Sequence, residues 1–504
     1  MPVNRIDLGS RRAVQIFVAA WVLFSAFFAT NVEREHYPAF ALVDHHDLRV
    51  DEYAGFHPDI FVHTDGHAYV GNNVITSLFA AVPLYLLDAP LDFLEIRRRS
   101  TLGAGEAPSG EYRTYDNHPN RKAFFERVTQ QGLDLRFGGA TAITTGLFMA
   151  PLSALMLVLF FQMLRGRGLS EGRATTYAFL LGFATPIFFR TSALSHNMVT
   201  MYATFGAFWL LWPREAGAPA SLGRRTWAGL LAGIALATDY SGVVPLLALY
   251  GYLVGVRWKE VGFLRSFRES IPFVLGSVPP VAFLLFSQWA MFRNPFLPGQ
   301  YWMPDVSYTD RGWRGFAWPA PDLFLLNLFS PRWGMVPFAP LLALGLLPAW
   351  RYARDKLVIP RPERWFIAAF VLAYLVFCAA NQYSRMQWNT GFRYLLPIVP
   401  FLFMTAVDHL QRLPRNLLRG VAAAALIHSW VIASVREQAF SSWAILFRDG
   451  VQLPWLTVLR MTRPEGTPVL SSAWLPPVLL TLVGLATWWM WRRLASTTAG
   501  GGEV

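Results

Sequence analysis

Long apolar runs are the feature of this sequence that most restricts its fold. A helix of about 20 apolar residues is long enough to cross a bilayer. Candidate spans occupy 13–30, 139–163, 174–193, 197–213, 226–238, 241–257, 271–291, 322–350, 365–380, 394–410, 418–434 and 473–491. Only 15% of the residues are charged, against about 25% in soluble domains. The sequence therefore predicts an all-α polytopic membrane protein with about 12 transmembrane helices, in the range of about 11–13.

The run 75–92 is the doubtful span, and loop charge decides its placement. If it does not cross, every short loop on the side of the N-terminus is basic, as in 164–173 and 411–417. If it does cross, these loops change sides and the positive-inside rule fails throughout. We therefore expect an interfacial or re-entrant helix at 75–92 on the outer face, followed by an outer loop at 93–138.

This assignment predicts a multi-pass protein of the bacterial inner (plasma) membrane with both termini in the cytoplasm. The first apolar run is longer than the apolar part of a signal peptide and is expected to stay as an anchor. Residues 1–491 are predicted to form one integral membrane domain, in which 31–138 is a large first extracytoplasmic loop with interfacial helices. Residues 492–504 end in a small, polar segment and are predicted to be a disordered cytoplasmic tail.

The segment 31–73 differs from its apolar surroundings, because it holds eight acidic residues and six of the ten histidines. A carboxylate there can act as a general base and take a proton from an attacking hydroxyl. Asp51 is our first candidate, because it lies on a short polar segment between aliphatic and aromatic residues. Asp44 and Glu33 are the alternatives. A loop that is acidic only because it is solvated is the simpler interpretation.

The same segment contains oxygen and nitrogen atoms that can bind a divalent cation such as Mg²⁺ or Mn²⁺. The possible ligands are Asp44, His46 and His63. Their spacing matches no strong metal motif, so the sequence does not establish a cofactor. Cys378 is the only cysteine, which excludes a thiolate cluster.

Arginines at two outer positions are candidates for binding phosphate. Arg385 and Arg393 flank a turn rich in aromatic residues, and guanidinium groups pair well with phosphate oxygens. Arg332 interrupts the span 322–350 within 330–334. The alternatives are an interfacial belt of anchoring side chains and, for Arg332, a side chain that reaches to the membrane surface.

The predicted topology places every polar cluster of the chain on the outer face of the membrane. This distribution favours an extracytoplasmic site, and it includes the polar turn at 238–242 that breaks 226–257 into two helices. The predicted substrate-binding residues are Asp59, His63, His67, Asn73, His196, Asn197, Asp239, Tyr240 and Trp388.

Several segments, in this order along the chain, resemble the GT-C superfamily of membrane glycosyltransferases. They are the acidic first loop, DGHAYVGNN at 65–73, ALSHNMVTMYATFGAF at 193–208, ATDYSG at 237–242 and QWNTGFRYLLPIVPF at 387–401. The nearest types are the protein O-mannosyltransferases and the lipid A aminoarabinose transferases. The resemblance implies a GT-C-like fold, a polyprenyl-phosphate sugar donor and inverting transfer. It also implies an acidic first-loop residue as base and arginines that carry the leaving phosphate.

The predicted function is therefore that of a hexosyl- or pentosyltransferase that moves sugar from a polyprenyl-phosphate donor to a lipid or glycan acceptor on the extracytoplasmic face. The expected partners are this donor, the acceptor and membrane lipids. Nucleic acid is not expected despite the net charge of +12, because the arginines lie mainly beside apolar runs. The alternatives are a transporter or flippase of a lipid-linked saccharide and a surface-polysaccharide polymerase or ligase. Transporters concentrate polar groups near the bilayer midplane, whereas here they gather on one face.

Overall fold

The computed structural model describes residues 9–29, 32–101, 119–213, 220–347, 357–387, 390–462 and 468–496. The helices of the first half are α1 Arg11–Ser25, α2 His36–Asp44, α3 Ile75–Leu86, α4 Asp88–Thr101, α5 Pro119–Gln130, α6 Asp134–Thr144, α7 Ala150–Gly166, α8 Glu171–Phe183, α9 Pro186–Thr191, α10 His196–Leu211, α11 Leu222–Thr238 and α12 Val243–Val261. Those of the second half are α13 Phe263–Phe292, α14 Gly299–Trp302, α15 Pro321–Phe329, α16 Met335–Phe338, α17 Ala343–Leu346, α18 Arg361–Ala380, α19 Val399–Leu410, α20 Arg415–Val435, α21 Ala439–Asp449, α22 Pro454–Thr462, α23 Pro468–Ser471 and α24 Leu475–Ser496. The prediction of an all-α polytopic protein is confirmed, with one addition. An antiparallel hairpin pairs β1 Ile60–Val62 with β2 Ala68–Val70.

Five of the described helices are long and apolar enough to cross a membrane. They are Asp134–Gly166, Tyr240–Trp258, Phe263–Phe292, Arg361–Ala380 and Arg415–Val435. A helix is present at each of the other predicted spans. Most of these helices are short or broken, such as α1 with 15 residues and α10 with 16, whereas α24 has 22 residues and is not among the five. The count of about 12 spans stays a prediction.

Two predicted interruptions are confirmed. The helix α11 ends at Thr238, and the Asp239 carboxylate accepts a hydrogen bond of 2.8 Å from Ser241 N–H before α12 begins. The span 322–350 breaks at 330–334, between α15 and α16. A third break, within the predicted span 174–193, was not expected: α8 ends at Phe183, and Pro186 starts the short helix α9. Proline disfavours helical geometry at the residue before it.

In its described residues, the predicted first outer loop at 31–138 is built from short helices and the hairpin. Helices α3 and α4 are long and apolar enough for one span only when taken together, and they meet at an angle of 77°. This bend is compatible with the predicted interfacial or re-entrant segment at 75–92. Arg136 of α6 ties the loop together, because it donates to Asp44 of α2 at 2.7 and 2.8 Å and to Glu95 of α4 at 2.8 Å.

The predicted tail is partly wrong. The helix α24 continues to Ser496, so 492–496 are helical, whereas 497–504 lie outside the described residues. Arg492 and Arg493 lie over the rings of Trp488 and Trp489, at 4.8 and 4.5 Å from the ring centroids. These cation–π contacts between residues four apart favour the last helical turn.

Labelling of single cysteines tests the topology. Cys378 is buried and only 2% exposed, so its background reaction is low. We expect Thr64→Cys and Gln131→Cys, on either side of α3 and α4, to react with an impermeant thiol reagent in intact cells. Gly172→Cys should react only after permeabilisation. Labelling of Thr64→Cys and Gln131→Cys from opposite sides would show that 75–92 crosses the membrane.

Candidate active site

Three arginines from distant parts of the chain meet at one place. Arg190 belongs to α9, Arg393 precedes α19, and Arg436 follows α20; we call them the arginine site. Arg190 and Arg436 are buried, with 8% and 5% exposure. Both Arg393 and Arg436 repel the charge of Arg190. Such a gathering of buried like charges is costly unless an anion accompanies it.

The local backbone aims two of these side chains. The break before Pro186 sets α9 apart from α8, so that Arg190 Nη2 donates to the Gly391 carbonyl at 2.5 Å. Arg436 ends α20 in a left-handed conformation with φ of 62°. Its guanidinium donates to the Ser192 hydroxyl and, at 3.4 Å, to the Phe189 carbonyl.

Arg393 is held by the turn in which it was predicted. Its N–H donates to Gln387 Oε1 at 2.7 Å, and its guanidinium lies 4.9 Å from the centroid of the Tyr394 ring. Gly391 has φ of 69°, and an added Cβ would lie 2.7 Å from the Phe338 ring. A larger residue at Gly391 would therefore displace both Arg393 and the carbonyl that binds Arg190.

Glu33 is the carboxylate at the arginine site. Burial and the neighbouring Glu35 raise its pKa, while Arg436, Arg190 and Arg393 oppose the rise. His36 fixes the local backbone. Its ring Nδ1 accepts a hydrogen bond from the backbone N–H of Glu33 at 3.1 Å, and its own backbone N–H donates to the Glu33 carbonyl at 2.9 Å. A partly buried carboxylate with a raised pKa is suited to take up a proton.

A second group of charges, the His196 network, lies beside Glu33. Its members are Arg34, Glu35, Asp59, His196 and Asp239. His196 Nδ1 lies 2.5 Å from Glu35 Oε1, and its Nε2 lies 3.3 Å from Asp239 Oδ2. Arg34 pairs with Asp59 and lies 3.4 Å from Glu35.

Glu35 and Glu33 thus differ in pKa because their surroundings differ. Burial would raise the pKa of Glu35, but His196 and Arg34 hold it well below its usual range. Burial would also raise the pKa of Asp59, yet Arg34 and His57 keep it below the ordinary value. Of these three carboxylates, Glu33 is the one whose proton affinity is increased.

Asp51, our first candidate for the base, has a structural role in the hairpin. Its carboxylate accepts from Ala68 N–H at 2.5 Å and pairs with His67 Nδ1 at 2.9 Å, and its side chain is 51% exposed. Burial would raise the pKa of Asp51, but these two hydrogen bonds keep it below the ordinary value. A catalytic role for Asp51 stays a prediction, and the geometry now favours Glu33.

The possible metal ligands do not come together. Asp44 binds Arg136, His46 Nδ1 lies 3.1 Å from the Leu42 carbonyl, and the His63 ring packs against Trp302 with centroids 5.0 Å apart. In the described ranges, no group of three His, Cys, Asp or Glu residues is arranged to hold a metal ion. We assign no step to a metal.

Two of the predicted phosphate ligands, Arg385 and Arg332, have other partners in the structure, and their role stays a prediction. Arg385 donates to Asp322 at 2.7 Å and to Gln382 at 3.0 Å, so its charge is already paired. Arg332 is exposed and lies 5.9 Å from the Trp333 ring centroid, as expected for a side chain at the membrane surface.

The predicted substrate-binding residues are distributed over three locations. Asp59, His196 and Asp239 belong to the His196 network, beside which Asn197 is fully buried. His63 and His67 flank the tip of the hairpin, where His63 N–H donates to the His67 carbonyl at 2.8 Å. Asn73 and Tyr240 lie near α13, and Trp388 lies outside the described residues.

Sequence reasoning missed four charged residues of this region: Arg34, Glu35, Arg190 and Arg436. A signal for Arg190 was present, because an arginine inside an apolar run is costly in a membrane and commonly functional. The signal for Arg436 was weaker, since arginines at span ends usually serve as anchors.

The fold and site define a polytopic helical membrane protein with a buried cationic site that contains one carboxylate of raised proton affinity. No protein-family model matches the chain, and none of the curated proteins matches it either. Among solved structures it is similar to ArnT from Cupriavidus metallidurans bound to undecaprenyl phosphate, with 14% identity and a TM-score of 0.45 over 94% of this chain and 76% of that one. The apo form of ArnT gives 14% identity and a TM-score of 0.45 over 95% and 73%. Likeness at this level says nothing about substrate or catalytic residues.

Proposed function

We propose that this protein is an inverting membrane glycosyltransferase. It moves a sugar from a polyprenyl-phosphate donor to a lipid or glycan acceptor on the extracytoplasmic face. The observation that carries the proposal is the arginine site with Glu33 beside it. The sequence resemblance to GT-C enzymes is consistent with the same reaction.

The arginine site suits a phosphate group. Guanidinium groups donate paired hydrogen bonds that match phosphate oxygens. Within the described part of the chain, Nε of Arg190 and Nε of Arg393 are buried and have no hydrogen-bond partner. Both arginines therefore keep donor capacity for a ligand.

The position of the site suits a donor carried by a lipid. Arg190 lies in the short apolar helix α9, and Arg436 directly follows the apolar helix α20. Ala29, just after α1, donates its N–H to the Ser192 carbonyl at 2.7 Å. The site thus lies where apolar helices end. A polyprenyl chain would remain in the bilayer while its phosphate reaches the arginines.

The reaction needs charge stabilisation and a base. When the bond between the anomeric carbon and the phosphate oxygen breaks, negative charge grows on the leaving phosphate, and prepositioned arginines stabilise it. Glu33 takes the proton of the acceptor hydroxyl as that oxygen attacks the opposite face of the sugar. Its raised pKa makes it a stronger base than Glu35.

The His196 network supports the role of Glu33 as the base. Glu35 is held by His196 and Arg34, so it stays charged, and its negative charge is one reason for the raised pKa of Glu33. His196 in turn links Glu35 to Asp239, at the break between α11 and α12. These residues position the base and need not touch substrate.

A transfer assay tests the proposal against its main alternative. The full chain in lipid nanodiscs receives a polyprenyl-phosphate hexose labelled in the hexose, together with a membrane extract as the acceptor source. We expect label to leave the lipid and polyprenyl phosphate to accumulate. In vesicles, movement of intact labelled lipid between leaflets without release of polyprenyl phosphate would instead identify a flippase.

A further inference from the structure

Neutral polar side chains meet where the start of α3 packs against the end of α13. Asn73, Thr76 and Gln288 are buried, with 4%, 0% and 1% exposure. Gln288 Nε2 donates to Asn73 Oδ1 across a long 3.4 Å. In the described part of the protein, Asn73 Nδ2, Thr76 Oγ1 and Gln288 Oε1 have no hydrogen-bond partner.

Trp302 lies beside this group, because it packs in one apolar cluster with Val74 and Phe292. Its Nε1 is also buried without a hydrogen-bond partner among the described residues. The Trp302 ring stacks on Phe292, one helical turn after Gln288, with centroids 6.3 Å apart. We call Asn73, Thr76, Gln288 and Trp302 the carboxamide site.

So many unused polar atoms at one place require a partner. A buried donor or acceptor without a hydrogen bond costs about 1–3 kcal/mol. Buried Trp N–H groups usually have a partner as well. Three segments of the chain, 73–76, α13 and α14, each contribute such an atom, so an isolated packing fault does not account for the arrangement.

The atoms specify the chemistry of the ligand. They combine donors, Asn73 Nδ2 and Trp302 Nε1, with an acceptor, Gln288 Oε1, and a hydroxyl that can do both. No charged side chain belongs to the set, so it does not match a phosphate. Hydroxyl groups, which donate and accept at once, match it, and an aromatic ring suits the apolar face of a sugar.

We propose that the carboxamide site binds hydroxyl groups of the transferred sugar and selects an uncharged sugar. This inference rests on the proposed function. Burial of a carboxylate or ammonium group against neutral amides would be costly, so uronic acid and amino sugar donors are disfavoured.

The carboxamide site is connected to the candidate active site. Ile75, between Asn73 and Thr76, packs in one apolar cluster with Leu284 and Tyr240. Tyr240 adjoins Asp239, which pairs with His196. The carboxamide site and the His196 network are thus linked through Ile75 and the turn at Asp239-Tyr240.

The test compares two lipids on the full chain in nanodiscs: a polyprenyl-phosphate hexose and polyprenyl phosphate without sugar. Gln288→Leu keeps the size of the side chain and removes both polar atoms. We expect it to weaken binding of the sugar-bearing lipid about 10-fold. Binding of polyprenyl phosphate should stay within about twofold, because a neutral side chain away from the arginines does not change the phosphate contacts. Gln15 is another buried glutamine on a membrane helix, with 3% exposure. Gln15→Leu is the matched control and should change binding of neither lipid.

Thr76→Val provides a second, isosteric variant in case Gln288→Leu does not fold. It should also weaken binding of the sugar-bearing lipid only. If these variants weaken binding of both lipids equally, or of neither, the amides only support the fold and the inference is overturned. If the wild-type protein binds neither lipid, the proposed function itself fails. A wild-type preference for a uronic acid or amino sugar donor over the neutral hexose donor would overturn the selectivity alone.

Discussion

Glu33→Gln is expected to lower the rate of sugar transfer by about 10²–10⁴. The glutamine keeps the size and hydrogen-bonding shape of the side chain but cannot accept the acceptor's proton. Binding of polyprenyl phosphate should not weaken, because loss of a negative charge beside the arginines favours an anionic ligand. The measurement is a turnover assay in nanodiscs together with a binding assay for polyprenyl phosphate.

Asp51→Asn is the matched comparison, since Asp51 is also a carboxylate of the first outer loop. Its hydrogen bonds serve the hairpin, so we expect a small loss of stability and most of the turnover to remain. If Asp51→Asn abolished transfer while Glu33→Gln kept it, our sequence-based choice would be right and the geometric one wrong.

The pH dependence should report the same group. Glu33 acts in its deprotonated form, so transfer should fall as the pH decreases through its pKa. Because burial and Glu35 raise that pKa, the fall should begin at a higher pH than for an ordinary glutamate. The residual activity of Glu33→Gln should lack this step in its pH–rate profile.

The chain's helices and most of their breaks could be predicted from local signals. Apolar runs mark the helices, and the polar Asp239 turn marks the end of α11. The break at Thr185-Pro186 carried an equally local signal, but the apolar residues on both sides concealed it. The exact course of α3 and α4 depends on packing against the rest of the loop, which no local pattern encodes.

The site was harder to predict, because its residues come together only in the folded chain. The sequence indicates Glu33, Arg393 and Asp239 as candidates, since each lies in or beside a polar turn. Arg190 lies within a predicted apolar span, and only the structure shows that its helix, α9, has six residues and is too short to cross a membrane. The sequence favours Asp51 over Glu33 and the geometry favours Glu33, because a sequence shows burial poorly for residues in a polar loop.

Arg436→Gly is expected to lower transfer by about 10²–10³, the effect of removing one donor that stabilises developing charge. Affinity for polyprenyl phosphate should fall as well, because the leaving group carries the same phosphate. The substitution is designed to spare the fold. Arg436 has φ of 62°, a conformation that glycine adopts without strain, and Ser192 keeps its hydrogen bond to the Phe189 carbonyl.

Arg293→Gly is the matched control for this change. Arg293 also follows a long helix in the left-handed conformation, with φ of 56°, but its side chain is exposed and lies over Trp289 at 5.5 Å. We expect this variant to bind polyprenyl phosphate and transfer sugar like the wild type. Equal losses in both variants would indicate that the helix ends, and not the guanidinium of Arg436, matter for activity. Full activity of Arg436→Gly would remove Arg436 from the phosphate site and leave Arg190 and Arg393 to hold the donor.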